Sequence, residues 1–251
     1  MRSVCLFLGH ARSGHSIVGA LLDAHPQIII SDELDALRYV DAGFTADQVL
    51  SLSMIVSERQ AHHARRKAGQ DGATYSYAVP DQWQGTYRDL RVIGDSQAGW
   101  SVQRLARDPS LLDRTRQRVR PRRLQFIHVT RNPFDNIATM MLRGGRTFES
   151  AFERYFANCE SLRALSARFG DEELLRLRHE DVILVPADSL SRACAFLGVE
   201  ADAGYLDACA SILYPNPSRS RAKIAWTDAQ RARVDGRITE FEFLEGYDFD
   251  S

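Results

Sequence analysis

Short unbroken apolar runs alternate with amphipathic stretches along this chain. SVCLFLG (3–9), QIII (27–30), RVIG (91–94), LQFIHVT (124–130) and LLRLR (174–178) have the length and character of strands buried on both faces. After the first run, Ile17, Val18, Leu21 and Leu22 recur at helical spacing until Pro26 stops them. A second helix is expected from around Asp32. The capping box Thr45-Ala-Asp-Gln48 opens a third that runs to about Ala68. Phe148, Phe152, Tyr155, Phe156, Cys159, Leu162 and Leu165 mark a long amphipathic helix over 147–169, and further helices are expected near 189–197 and 203–213. YSYAVPDQWQG (75–85) reads as irregular. Strands alternating with helices predict an α/β fold with a mainly parallel sheet flanked by helices. With no repeat, low-complexity stretch or linker, residues 1–251 are expected to form a single domain. In such sheets ligands bind beyond the carboxyl ends of the strands, so the residues just after each apolar run are the first candidates for chemistry.

Composition narrows the picture. The 44% hydrophobic and 26% charged fractions and the net charge of −1 are those of an ordinary soluble protein, with no long-range field suited to nucleic acid or a membrane. Of 32 basic residues only Lys67 and Lys223 are lysines, so chemistry that needs positive charge falls to arginine. Cys5, Cys159, Cys194 and Cys209 lack C-x-x-C spacing and read as small core residues in a reducing compartment rather than zinc ligands or disulfides. The apolar run VCLFLG is too short for a signal sequence or membrane span, so a cytoplasmic location is expected.

Two strand ends carry anion-binding signals. GHARSGHS (9–16) has the frame of a phosphate loop: Gly9, four residues, Gly14, a basic residue and Ser16. Its glycines let backbone amides turn toward an anion, and the helix N-terminus after the loop favours negative charge. RNPFDNIAT (131–139) places Asn132 as N-cap, Pro133 in the first turn and Asp135 to complete a box-like cap, with Thr139 one turn further on the same face. Capping accounts for Asn132, Pro133 and Asp135 but not for Arg131 with Thr139. Two such sites at neighbouring strand ends suit a ligand with two separated phosphates.

With these motifs the chain resembles sulfotransferases that use 3′-phosphoadenosine 5′-phosphosulfate (PAPS). GHARSGHSIVGALLDAHP is similar to the family's 5′-phosphosulfate loop and nearest in type to the tyrosylprotein and bacterial branches, which use arginine in place of lysine. RNPFDNIAT resembles the 3′-phosphate motif, LRLRHEDVILVPADSLSRACAFLGV a further signature, and SRSRAKIAWTDAQRARV the basic segment that closes over the nucleotide. The resemblance implies a P-loop type of nucleotide-binding fold and PAPS as co-substrate, with no metal. It implies that Arg12, Ser13, Gly14, His15 and Ser16 hold the phosphosulfate and Arg131 and Thr139 the 3′-phosphate. Arg219, Arg221 and Lys223 are candidates to add charge there. His15 stands where the family usually has threonine.

Sulfuryl transfer also requires a group that takes the acceptor's proton. Asp32 and Glu33 come directly after the second strand, and the resemblance points to Glu33 as the base and Arg12 as its catalytic partner. Relatives often carry lysine after Gly94-Asp95; here that position is Ser96. Either the serine gives a weaker hydrogen bond or an arginine from elsewhere compensates. The basic run Arg114–Arg123 reads as a solvated face, and His62 and His63 on a polar helix need no metal. A small-molecule acceptor is expected, with Tyr75, Tyr77, Trp83 and Trp100 as candidate walls of its pocket. A P-loop kinase or nucleotide hydrolase, with Asp95 holding magnesium, and a non-catalytic nucleotide-binding protein stand as alternatives.

Overall fold

The computed structural model describes residues 1–68 and 74–251, and of residues 67, 68, 74 and 75 only the course of the backbone. The chain opens with β1 (Ser3–Gly9), α1 (His15–Asp23) and β2 (Ile28–Ser31), and continues with α2 (Ala36–Asp41) and α3 (Ala46–His62). A short antiparallel hairpin, β3 (Arg66–Ala68) with β4 (Thr74–Ser76), precedes β5 (Val92–Asp95), α4 (Gly99–Arg107) and α5 (Ser110–Val119). Then come β6 (Arg123–Thr130), α6 (Pro133–Gly144), α7 (Phe148–Ser166), β7 (Leu174–Arg178) and the helices α8 (His179–Leu184), α9 (Pro186–Leu197), α10 (Ala203–Ser211) and α11 (Asp228–Ile238).

The main sheet has five strands in the order β2-β5-β1-β6-β7, all parallel. Side chains of β1 alternate between two cores, as strand pleating requires. Cys5 and Phe7 join α1, α9 and α10 on one face; Val4, Leu6 and Leu8 join α2 to α5 on the other. A third apolar cluster joins α6, α7 and α11. Gly94 allows β5 to lie against β1, since a Cβ there would stand 1.8 Å from the Cys5 carbonyl oxygen.

The five expected strands form, as do the helices after Gly14, Thr45 and Thr147, the last two with side-chain caps. Three local expectations need correction. The helix after β2 starts at Ala36, not near Asp32, because the buried Asp95 carboxylate takes the Leu34 and Ala36 amides at 2.9 Å each and so fixes the helix start from outside. The capped helix α3 ends at His62 instead of Ala68: Ala64 and Arg65 turn left-handed, carrying Arg65 into a buried ion pair with Asp23. Asp135 does not complete a cap; Asn132 alone accepts the Phe134 amide, and Asp135 accepts from the Arg221 amide at 2.9 Å. The short α8 and the hairpin carry no periodic signal long enough to read. The basic run is indeed ion-paired surface, Arg114 with Asp41 and Asp108, Arg116 with Asp113 and Glu173, Arg122 with Asp47. All four cysteines are buried and free.

The Asp23–Arg65 pair ties together elements distant in sequence. Asp23 accepts from the Ile30 amide at 2.6 Å, the Ser57 hydroxyl at 2.7 Å and the Gly85 amide at 2.9 Å, while Arg65 also donates to the Ile30 carbonyl. Removing one partner strands a buried charge. Arg65→Met should therefore cost about 3–5 kcal/mol in urea unfolding, and adding Asp23→Asn should recover part of that loss. A single-variant cost below about 1 kcal/mol would show that the pair is spectator to stability.

Candidate functional site

Because all five strands run the same way, the segments after them emerge at one edge of the sheet. Across that edge the order is Glu33 after β2, Gln97 and Gly99 after β5, the loop from Ala11 after β1, Arg131 after β6, and His179 after β7. Side chains from all five line one cavity of about 1140 Å³.

The loop after β1 is held open by backbone geometry. Gly9, Arg12 and Gly14 have φ of 143°, 69° and 96°, and α1 starts with no side-chain cap and no acid in its first turn. Its first amides thus lack intrahelical acceptors and face the cavity side, an arrangement that attracts an anion. Gly14 is required by more than conformation, since a Cβ would fall 2.2 Å from His179 Nδ1. Arg12, exposed, and His15 and Ser16 border the cavity. Ser13 does not: its hydroxyl is buried under the loop near Gly9 without a hydrogen-bond partner.

Arg131 is buried and braces the segment after β6 to the loop after β1. It donates to the Arg12 carbonyl at 3.1 Å, to the Ser218 carbonyl at 2.6 Å and to Ser220 Oγ at 3.4 Å. Thr139 Oγ1 donates to the Asp135 carbonyl and also meets Ser220 Oγ at 3.1 Å, so one hydroxyl links Arg131 with Thr139. Burial lowers the Arg131 pKa from its ordinary value, against the pull of Asp135 and Glu180.

Among the three basic candidates in the closing segment the structure separates roles. Lys223 borders the cavity; Arg219 is exposed and away from it. Arg221 is a correction: its buried guanidinium lies 3.8 Å from Asp135 and donates to the carbonyls of Asp248 and Ser251, outside the cavity wall. Arg221 anchors the segment instead of charging the pocket. Trp226 completes the anchor, with its indole N–H on the Arg221 carbonyl and its ring edge-on to Phe134.

The two acids after β2 also part company. Glu33 is exposed, borders the cavity and has a left-handed φ of 60°. Asp32 is buried, accepts from Ser96 Oγ at 3.1 Å and does not border the cavity. Ser96 is therefore engaged below the site and offers it no hydrogen bond, and a Cβ on Gly19 would stand 2.6 Å from Ser96 Cβ, so α1 packs directly on it. Asp95 spends its carboxylate on Ser31, Leu34 and Ala36, and burial raises its pKa to about 6. It is a structural acid. Of the aromatic candidates Tyr77 and Trp100 line the cavity, Trp83 does not, and the Tyr75 side chain lies outside the described residues.

Reading the sequence missed His179, Ser220, Arg143 and Arg154, all in the cavity wall. Arg143 lies one turn beyond Thr139, which helical spacing alone could have suggested. The others are placed by tertiary packing. His179 Nδ1 is buried against Gly14 with no hydrogen-bond partner, and burial with nearby Arg131 lowers its pKa to about 4. Deeper under the loop lie His10, stacked on Tyr155 and lowered to about 4, and His128, lowered to about 3 with neither ring nitrogen hydrogen-bonded. Among the described residues no cluster of three or more His, Cys, Asp or Glu is arranged to hold a metal ion, and no helix is long and apolar enough to cross a membrane.

Residues 6–203 match the sequence profile described as the sulfotransferase family. No curated protein matches the chain. Solved structures with a similar fold include a sulfotransferase from Alicyclobacillus acidocaldarius (18% identity over 100% of this chain and 98% of that one, TM-score 0.55). The sulfotransferase domain of the Synechococcus PCC 7002 olefin synthase is also similar (17% identity, 91% and 83% covered, TM-score 0.51). Mouse sulfotransferase SULT7A1 complexed with PAP matches at 11% identity, with 98% and 84% covered and a TM-score of 0.50.

The buried histidines make a pH prediction. His128 is neutral in the fold down to about pH 3, whereas the unfolded chain takes the proton near 6.5. Its contribution is present above pH 6.5 and is lost as pH falls toward 3, because the unfolded state binds the proton first. His128→Leu should be no less stable than the parent at pH 8 and gain about 2 kcal/mol relative to it at pH 5, at about 1.36 kcal/mol per pH unit below 6.5. Equal differences at the two pH values in urea melts would refute the assignment.

Proposed function

The chain belongs to the sulfotransferase family, and we propose that it moves the sulfuryl group of PAPS to a hydroxyl or amine of a small-molecule acceptor, releasing 3′-phosphoadenosine 5′-phosphate (PAP). The observation that carries this reading is the order of groups along the sheet edge: the acid Glu33, the uncharged Gln97–Gly99 turn, the glycine loop, and the arginine–hydroxyl pair. The loop with Arg12 and Ser16 would take the phosphosulfate, and Arg131, Thr139, Ser220 and Lys223 the 3′-phosphate. Glu33 stands two strands from the loop, about 10 Å at the usual strand spacing, which leaves an acceptor group room over the end of β5. A cavity of about 1140 Å³ exceeds the usual range for one ligand of about 300–1,000 Å³, as two substrates require. The PAP complex of the mouse protein is in keeping with this nucleotide.

In the proposed reaction the acceptor oxygen or nitrogen attacks sulfur while the bond from sulfur to the 5′-phosphate oxygen breaks. Glu33 takes the acceptor's proton, and the leaving phosphate oxygen takes the bonding electron pair. Charge moves toward that oxygen, where Arg12 and the α1 amides would stabilise it as fixed donors and dipoles do. The magnesium-dependent alternative fares poorly because Asp95, its metal ligand, is bound to backbone and hydroxyl donors away from the cavity.

Titration calorimetry tests the nucleotide. PAP should bind at least about tenfold more tightly than adenosine 5′-phosphate, since charge-assisted hydrogen bonds contribute about 1.5–3 kcal/mol each. Arg131→Ala should abolish the preference, and equal affinities for the parent protein would overturn the two-site reading. Glu33 has a second signature in its backbone. A left-handed non-glycine residue costs about 1–2 kcal/mol, so Glu33→Gly should leave thermal stability unchanged or slightly raised. The same change should lower turnover by about 10²–10⁴-fold, as should Glu33→Gln. Turnover retained in both variants would remove Glu33 as the base.

A further inference from the structure

Beside the main cavity lies a second one of about 540 Å³, and the two share Ala11, Gly99, Gln103 and Arg154 as a common wall. The second cavity runs between α4 and α7 past the end of α6, and its lining mixes apolar surface with the polar side chains of Asn158, Ser150 and Ser161 and the two arginines Arg146 and Arg154. Its opening toward the anion loop passes over Gly99, where a Cβ would already stand 3.4 Å from the Ala11 amide nitrogen, so the passage is floored by bare backbone.

Charge distinguishes this cavity. Most arginines of the chain that meet a carboxylate do so on the surface, such as Arg116, Arg163, Arg233 and Arg237. Among the described residues no carboxylate lies within ion-pair distance of Arg154 or Arg146; Arg146 donates only to Ser150 Oγ at 3.3 Å. The one acid in the lining, Glu153, leaves both unneutralised. In the proposed reaction the nucleotide's charge is met elsewhere: Arg12 and the α1 N-terminus would serve its phosphosulfate end, and Arg131, Arg143 and Lys223 line the main cavity on the β6 side; Arg146 does not border that cavity. Arg154 comes from α7, across the loop from that group.

We propose that the second cavity is an acceptor subsite for a polar, anionic group, a carboxylate or sulfate, held by Arg154 and Arg146 while the acceptor's reacting hydroxyl or amine reaches over Gly99 to the loop. This deepens the sulfotransferase reading and rests on it. Met140 and the Ala157 methyl give the same cavity an apolar side, against which the body of such an acceptor would pack while the two arginines hold its charged group.

The test uses the full-length protein saturated with PAP, which fills both nucleotide anion sites, titrated with a sulfated uronic-acid disaccharide and with its desulfated, carboxyl-reduced counterpart. The charged disaccharide should bind and the neutral one should bind at least tenfold more weakly. Arg154→Ala and Arg146→Ala should each weaken the charged ligand about tenfold or more, Arg154→Lys should restore part of the loss, and PAP affinity should stay within twofold in Arg146→Ala, whose side chain borders the second cavity alone. Equal binding of the two disaccharides, no binding of either, or charged binding indifferent to both arginines would overturn the subsite. Failure of the parent protein to bind PAP at all would instead strike the nucleotide reading.

Discussion

The functional edge depends on β1 being hydrogen-bonded in parallel on both sides, to β5 through Ser3–Leu6 and to β6 through Ser3–Gly9. With β1 central, the loop at its end is flanked by the ends of two other strands and cannot drift from either. Two missing side chains make that closeness feasible. Gly94 lets β5 approach the Cys5 carbonyl, and Gly9 lets the loop turn against the Val129 carbonyl, 2.8 Å from where a Cβ would be. Any side chain at either place would push a strand end sideways and with it one element of the cavity.

Arginine does two different jobs on this scaffold, and burial separates them. Arg65, Arg131 and Arg221 are buried and bind carbonyls or carboxylates of elements far apart in sequence, so they act as internal struts. A planar guanidinium with five donors can satisfy several backbone acceptors at once, which a lysine ammonium does less well. Arg12, Arg143 and Arg154 are exposed in the cavity and have no acidic partner among the described residues. A chain with almost no lysine thus builds both its frame and its charged pocket from one residue type.

The site also holds local conformations that a stability-optimised chain would avoid. Six described non-glycine residues have positive φ, and Arg12 and Glu33 border the cavity. Beneath the loop His128 is buried with both ring nitrogens unbonded, and Ser13 and His179 each bury an unbonded polar atom. Such features cost stability and persist where the surrounding packing over-determines them, here the five-stranded sheet and its two faces of helices.

Period and punctuation in the sequence determined much of this protein. The five buried strands, the glycine loop before α1, the N-caps at Thr45 and Asn132, and the pairing of Arg131 with Thr139 rest on local spacing, while Arg12 and Glu33 were nominated through the family resemblance of the motifs around them. Apolar runs and caps act over one or two turns, so they are legible without the fold. Contacts between distant segments were not. Asp95 moved the start of α2, the Asp23–Arg65 pair ended α3 early, and Asp135 with the Asp248 and Ser251 carbonyls drew Arg221 out of the pocket. Strand order placed Glu33 and the Arg131–Thr139 pair on opposite sides of the loop, and the packing of α7 brought Arg154 into the same cavity wall as Ala11. Long-range hydrogen bonds and register carry no periodic trace in the chain; they exist only when strands 30 or more residues apart are laid side by side.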